Sequence, residues 1–443
     1  MKRFYSIAPF VLLVGCSTLP HAFLEPRVQW TPQQANVWSA TTPWLVGCNF
    51  IPSTAINQLE MWQAETWDPV TIDRELGWAE NLGFTSLRVF LHNLLWQQDQ
   101  KGLLTRMDQF LALTHKHHLG VMFVLLDSVW DPHPQLGPQG APRPHLHNSG
   151  WVQSPGVAIL GDPARHDELK PYVQDVIGHF RNDKRIDCWD LFNEPDNRTP
   201  QYIQFEPQNK RELAVTLLQK AFTWAREMNP SQPLTSGVWI GQWGDPTRLT
   251  VLEKCQIEQS DIISFHSYAK LDDTRKCVQN LQRYGRPILC TEYMARPIGS
   301  RFDPVLGYFK EQHVGAYNWG LVSGKTQTIY HWDSWNKTYT AEPPVWFHDI
   351  LRQDGTPYDR KEIEYIKSIT GRAKGKMQPQ RHTGSINGAD AQVYYAVRRV
   401  LTRLNPLRMS NDPQKQHVEN ETVKKSTRTA KTSIVSGEVI GTG

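Results

Sequence analysis

Asp187-Cys188-Trp189-Asp190-Leu191-Phe192-Asn193-Glu194-Pro195-Asp196 opens as an apolar run broken by single polar residues, which reads as a buried strand. It ends in Asn-Glu-Pro, where a proline that cannot continue a ladder stops the strand and begins a loop. A carboxylate at the C-terminal lip of a parallel strand lies where α/β barrels hold their reactive groups. The apolar Trp189, Leu191 and Phe192 just before it would desolvate the acid and raise its pKa, as a proton donor requires.

Outward from this stretch, strand and helix signals alternate in both directions. Strands are expected at Trp44–Phe50, Ser86–Leu91, Val121–Leu126, Ile186–Phe192, Leu234–Trp239, Asp261–His266, Pro287–Glu292 and Gly315–Trp319. Helices are expected at Thr71–Leu82, Met107–His118, Asp167–Phe180, Asn209–Glu227, Pro246–Cys255, Asp272–Tyr284, Pro304–Gln312 and Asp359–Ile369. Val121–Leu126 is apolar throughout, as a strand covered on both faces should be. Eight such units predict an α/β chain folded as a (β/α)8 TIM barrel with enlarged loops on the C-terminal face. A doubly wound sheet is the alternative, but no Gly-rich phosphate turn follows the first strand.

The barrel rule then asks for a second reactive group at another strand end, and Thr291-Glu292-Tyr293 supplies it. Two carboxyls facing each other across a barrel mouth can flank a glycosidic bond, one as proton donor and one as nucleophile. Trp-Asp-Leu-Phe-Asn-Glu-Pro (189–195) and Thr-Glu-Tyr (291–293) resemble the acid/base and nucleophile strands of the retaining β-glycosidases of clan A, above all glycoside hydrolase family 5. The resemblance implies that Glu194 is the acid/base and Glu292 the nucleophile. It also implies that Arg88 pairs with the nucleophile and that Asn193 binds the sugar 2-hydroxyl. His266-Ser267-Tyr268 resembles the family's His-x-Tyr, which sets Tyr268 against the nucleophile and His266 near the acid/base; Trp319 resembles the stacking floor beneath the scissile sugar. One departure stands out. The family usually has a His at the end of strand three, where this chain has Leu126-Asp127-Ser128-Val129-Trp130, so His92 is expected to offer the sugar a polar contact instead.

The ends of the chain differ from its middle. Lys2-Arg3, an apolar run from Phe4 to Val14 and Leu13-Val14-Gly15-Cys16 have the form of a secretory signal too short to span a bilayer. Leu-Val-Gly-Cys resembles the bacterial lipoprotein box, which implies residues 1–16 as signal, lipidation of Cys16 and a lipid-anchored place in the cell envelope, the Gram-negative outer membrane by the following Ser17. A periplasmic or secreted protein is the alternative. Residues 17–42 read as a tether, 43–371 as the catalytic barrel and 372–443 as a basic, mostly disordered tail with one amphipathic helix at Ala391–Leu404. From Arg372 onward there are 13 Lys+Arg against 5 Asp+Glu, leaving 35 against 39 before it. The whole-chain charge of +4 is close to balance and the folded part is slightly acidic, which argues against nucleic acid as partner. Cys48, Cys188 and Cys290 read as buried thiols, and a Cys255–Cys277 bridge stays open.

Seventeen tryptophans suit a glycan cleft, where sugar C–H faces stack on indole, as well as ordinary core filling. The Pro-, Gly- and His-rich insertion Asp131–Pro163 is placed to wall one end of that cleft and favour short oligosaccharides. Its His133, His145 and His147 lack the pattern of a metal site, and neither metal nor cofactor is expected. Trp332, Trp335 and Trp346, with Lys325 and Gln327, either bring aromatic shelves and a cation to the cleft or pack over the rim. The expected activity is retaining hydrolysis of β-1,4-linked glucosides or mannosides in oligo- or polysaccharides. An exo-β-mannosidase on short oligosaccharides and a catalytically idle glycan-binding surface lipoprotein are the rivals; oligomeric state stays open.

Overall fold

The computed structural model describes residues 25–372. The expected signal segment, Cys16, and the tail beyond 372 with its helix lie outside the described residues. Within them run eight parallel strands: β1 (Val46–Asn49), β2 (Ser86–Phe90), β3 (Gly120–Asp127), β4 (Ile186–Asn193), β5 (Leu234–Thr235), β6 (Ile263–His266), β7 (Ile288–Tyr293) and β8 (Gly315–Trp319). Their order in the sheet is β5-β4-β3-β2-β1-β8-β7-β6, so neighbours in sequence are neighbours in space. The ring closes between β5 and β6 through backbone bonds from Asp261 to Leu234, Val238 to Ser264 and His266 to Val238. Every residue of β3 and β4 is buried, because the barrel interior covers one face and helices the other.

Strand five is shorter than its apolar pattern predicts. At Ser236 side chains replace ladder bonds: its Oγ donates to the Phe192 carbonyl, and its N–H donates to Ser260 Oγ. The second expected helix starts earlier than predicted, at Asn93, and runs to Lys116 with a non-helical break at Asp99. Asp99 accepts from Gly102 N and pairs with Arg106, restarting the helix so that Leu103, Met107, Phe110, Leu111 and Thr114 face the core. The polar run Gln97–Lys101 hides that first segment from a periodicity reading.

Residues 17–42 are not simply a tether where they are described. Thr31 and Gln34 form a capping box ahead of a helix at Pro32–Thr41. That helix seats Ala35 in a cluster with Leu45, Met122, Cys188, Ile262, Leu289 and Tyr317 at the N-terminal end of the barrel. Arg27 reaches the buried Asp261 at 2.5 Å beside it. Cys48, Cys188, Cys255, Cys277 and Cys290 are all free thiols, so the Cys255–Cys277 bridge is not formed.

Candidate active site

Glu194 follows the last residue of β4, and Glu292 lies near the end of β7. Glu194 takes a left-handed backbone conformation (φ 40°), unusual for a residue with a long side chain, as the strand gives way to Pro195. The Asn197 N–H closes the turn on the Glu194 carbonyl at 2.9 Å. One oxygen from each glutamate and a ring nitrogen of His266 all lie within 4.8 Å of one another. Both carboxyls are nearly buried, 8 % and 5 % exposed, yet both line the same cavity of about 550 Å³.

Arg88, on β2, is wholly buried and organises the floor of that cavity. Its five N–H donors are all engaged: Nε and Nη2 with Asp190 Oδ2, Nη1 with Asn49 Oδ1 and Glu292 Oε1, and Nη2 with Asn193 Oδ1. The contact to Glu292 is 2.9 Å. Tyr268 donates its hydroxyl to the other oxygen of Glu292 at 2.8 Å. His266 Nδ1 lies 2.7 Å from Glu194 Oε1 and 3.7 Å from Glu292 Oε2. Asn197 Nδ2 donates to Glu194 Oε2 at 2.6 Å.

These surroundings differ electrostatically. Burial lifts Glu194 to about 7, with the Asn197 hydrogen bond and the more distant Arg88 charge opposing it. Burial also raises Glu292, and the charge of Glu194 adds to this, while His266, Arg88 and Tyr268 pull it back. Burial lowers His266 to about 4, so its imidazole is neutral at pH 7. By distance alone the two glutamates and His266 could hold a metal ion. A guanidinium already touching Glu292 opposes a second cation there, and Tyr268 and Asn197 occupy further carboxylate lone pairs.

Asn193, Tyr268 and Trp319 line the cavity with the two glutamates, and Trp130, Trp151, Trp239 and Trp332 supply aromatic walls. Arg88 and His266 lie directly behind them. His92 does not join them: it is fully enclosed, and its Nδ1 accepts from Leu94 N as the N-cap of helix Asn93–Lys116. The expected contact of His92 with sugar is therefore corrected to a capping role. At the end of β3, Asp127 accepts from Asn193 Nδ2 and Trp151 Nε1, and burial lifts it to about 7. Asp127 and Arg88 together fix the Asn193 amide from both sides.

Asn49, Asp190 and Asn197 complete the site without a motif in the sequence that marks them. Asn197 lies four residues past the end of β4, in the loop that carries Glu194; Asn49 is paired with Arg88 on the neighbouring strand β1 and Asp190 reaches it from β4, contacts between separate strands that no local pattern encodes.

The large insertion and the segment after β8 interlock. Asn148 N donates to the Thr326 carbonyl, His145 N to Gln327 Oε1 and His147 N to Ser334 Oγ. Trp335 stacks on Trp130 with centroids 5.4 Å apart and donates to the His147 carbonyl. Trp332 reaches the cavity and meets Tyr268 edge-on, whereas Trp346 stacks on Tyr358. Lys325 brings no cation to the cavity, since it pairs with Glu60 at 2.5 Å.

No family model and no curated protein matches the chain. Solved structures do. GH5_18 from Streptomyces cattleya in complex with GlcNAc aligns with a TM-score of 0.50 at 11 % identity, over 76 % of this chain and 82 % of that one. The exo-beta-1,4-mannosidase Op5Man5 from Opitutaceae bacterium strain TAV5 aligns with a TM-score of 0.50 at 16 % identity, over 80 % of this chain and 66 % of that one. The chain is a (β/α)8 barrel. At these identities the likeness is one of fold.

Proposed function

We propose that the protein is a family 5-like retaining β-glycoside hydrolase acting on β-1,4-linked glucosides or mannosides. The observation that carries this reading is the pair of carboxyls whose oxygens approach within 4.8 Å in one aromatic-walled cavity. Retaining enzymes hold their carboxyl groups roughly 5–5.5 Å apart, whereas inverting enzymes need about 6.5–9.5 Å to admit a water. Glu292, held by Arg88 and Tyr268, attacks the anomeric carbon and forms a glycosyl-enzyme; the C–O bond to the leaving group breaks as Glu194 gives its proton to the departing oxygen. Glu194, now ionised, takes a proton from water as that water attacks the same carbon, and Glu292 leaves. Asn193, oriented by Arg88 and Asp127, donates to the sugar 2-hydroxyl, and Trp319 stacks under the ring.

The interlocked insertion favours a second, narrower reading: an exo-β-mannosidase that removes single residues from short chains; one fold neighbour is an exo-beta-1,4-mannosidase. Residues 1–16 support export and a lipid anchor at Cys16, tested by whether Cys16→Ala moves the protein from the membrane to the soluble fraction. Among the described residues no helix is long and apolar enough to cross a membrane.

The test is incubation with aryl β-glucoside, β-mannoside and β-xyloside and with manno- and cello-oligosaccharides, following the product anomer by NMR. Release of β-anomer is expected, with Glu292→Ala slower by roughly three orders of magnitude or more. First-formed α-anomer would refute the nucleophile. Binding of oligosaccharide with no turnover on any of them would leave the idle glycan-binding protein instead. Monosaccharide as sole early product identifies the exo reading.

A further inference from the structure

The helix Lys210–Glu227 begins with a lysine that local rules argue against. Lys210 is 0 % exposed and sits in the first turn, where the helix dipole already presents positive charge. Its Nζ, with three N–H donors, lies within hydrogen-bond distance of four acceptors. These are the carbonyl of Ser128, Gln153 Oε1, the carbonyl of Asn197 and Glu206 Oε1. A buried cation at the positive end of a helix costs stability twice over, and a chain keeps such a group where position matters more than stability.

The acceptors indicate what is positioned. Asn197, whose carbonyl Lys210 holds, donates its side-chain amide to Glu194 Oε2 at 2.6 Å. Ser128, whose carbonyl it also holds, follows Asp127 and donates its N–H to the Asn193 carbonyl at 3.2 Å. Gln153 bonds Glu206 at 2.6 Å and the Trp130 carbonyl at 2.9 Å, bringing in the large insertion. We infer that Lys210, with Glu206, is the positioning residue that sets the proton donor Glu194 against the leaving group, acting through Asn197. This rests on the reading of Glu194 as acid/base. Lys210 does not line the cavity. The charged or titratable groups that face Glu194 otherwise are Arg88, Asp127, Asp196, His266, Tyr268 and Glu292, none of which contacts Asn197 through a side-chain bond.

A misplaced proton donor harms only reactions that need the proton. kcat/KM reports the first, glycosylation step, so a dinitrophenyl glycoside, whose leaving group departs unaided, serves as control for an unactivated oligosaccharide of the same sugar. The variant is Lys210→Met/Glu206→Gln, which removes the buried ion pair as a unit and leaves neither charge unpaired. The expected result is a fall of about tenfold or more in kcat/KM on the oligosaccharide, part of the 10²–10⁴-fold that general acid catalysis supplies, with the dinitrophenyl glycoside within about threefold of wild type. Equal loss on both substrates, as a purely structural role would give, or no loss on either, overturns the inference. If the double variant does not fold, Asn197→Ala carries the same comparison with the same outcomes. Glu194→Ala measured alongside separates the two claims: if it lacks the leaving-group dependence, the acid/base reading fails. If it shows the dependence and the Lys210 variant does not, the positioning role alone fails.

Discussion

Glu292 meets a guanidinium at 2.9 Å and a phenol at 2.8 Å, while Glu194 meets a neutral imidazole and a side-chain amide. The same side chain thus has a cation and an O–H donor opposing the rise that burial causes in one place, and is left to hold its proton in the other. With Glu194 lifted to about 7, it is protonated below that pH and ionised above it. A proton donor is lost on ionisation, so kcat/KM should fall about tenfold per unit above pH 7, and Glu194→Gln should abolish that limb. Tyr268→Phe removes one hydrogen bond to a charged group, worth about 1.5–3 kcal/mol. The expected cost is roughly ten- to hundredfold in kcat with KM little changed, measured on the best aryl glycoside. Arg88 and Tyr268 could be matched to Glu292 from a resemblance of short motifs. Asn49 and Asp190 could not, because what selects them is the direction in which the guanidinium points between strands distant in sequence.

At the scale of elements, strand ends were legible wherever apolar runs stop at a polar residue, as at Asp127, Asn193 and His266. β5 was overread because Ser236 looks like a strand residue in sequence and acts as a side-chain bridge in space. His92 was misread for a related reason: a His after a strand suits a site and a helix cap equally, and only burial tells them apart. Burial lowers His92 to about 3, whereas in the unfolded chain it titrates near 6.5. The folded form binds fewer protons in between, so this stability is present above about pH 6.5 and is lost as pH falls towards 3. Between pH 7 and 5 the loss is about 2 kcal/mol. His92→Asn keeps a capping side chain without the titration. Its unfolding free energy in urea should therefore drop less than wild type over that range.

Over the whole molecule, the end opposite the active site depends on residues that the sequence presents as a lead-in. Arg27 bonds Asp261 and the Gln232 carbonyl, Gln29 the Ser260 carbonyl, and Trp30 N–H Asp261. Asp261 is enclosed, and removing the partner of a buried ion costs roughly 3–5 kcal/mol. Arg27→Ala should destabilise by about 3 kcal/mol, the low end because Asp261 keeps two backbone donors, Trp30 N and Leu234 N. Catalysis at the far mouth should be unchanged at temperatures where the protein stays folded. Chemical denaturation with kcat measured in parallel checks both. A short polar opening with few apolar residues conceals this part of the fold, since its partners lie more than two hundred residues away.

That distance also dictates a schedule. Gln29 waits for Ser260, Asn36 for the Gly285 carbonyl and Trp44 for the Val314 carbonyl, so these residues are synthesised more than two hundred residues before the partners that fix them. A nascent chain stalled before its eighth strand has an unsealed underside, with Leu45 and Met122 open to chaperones and proteases alike.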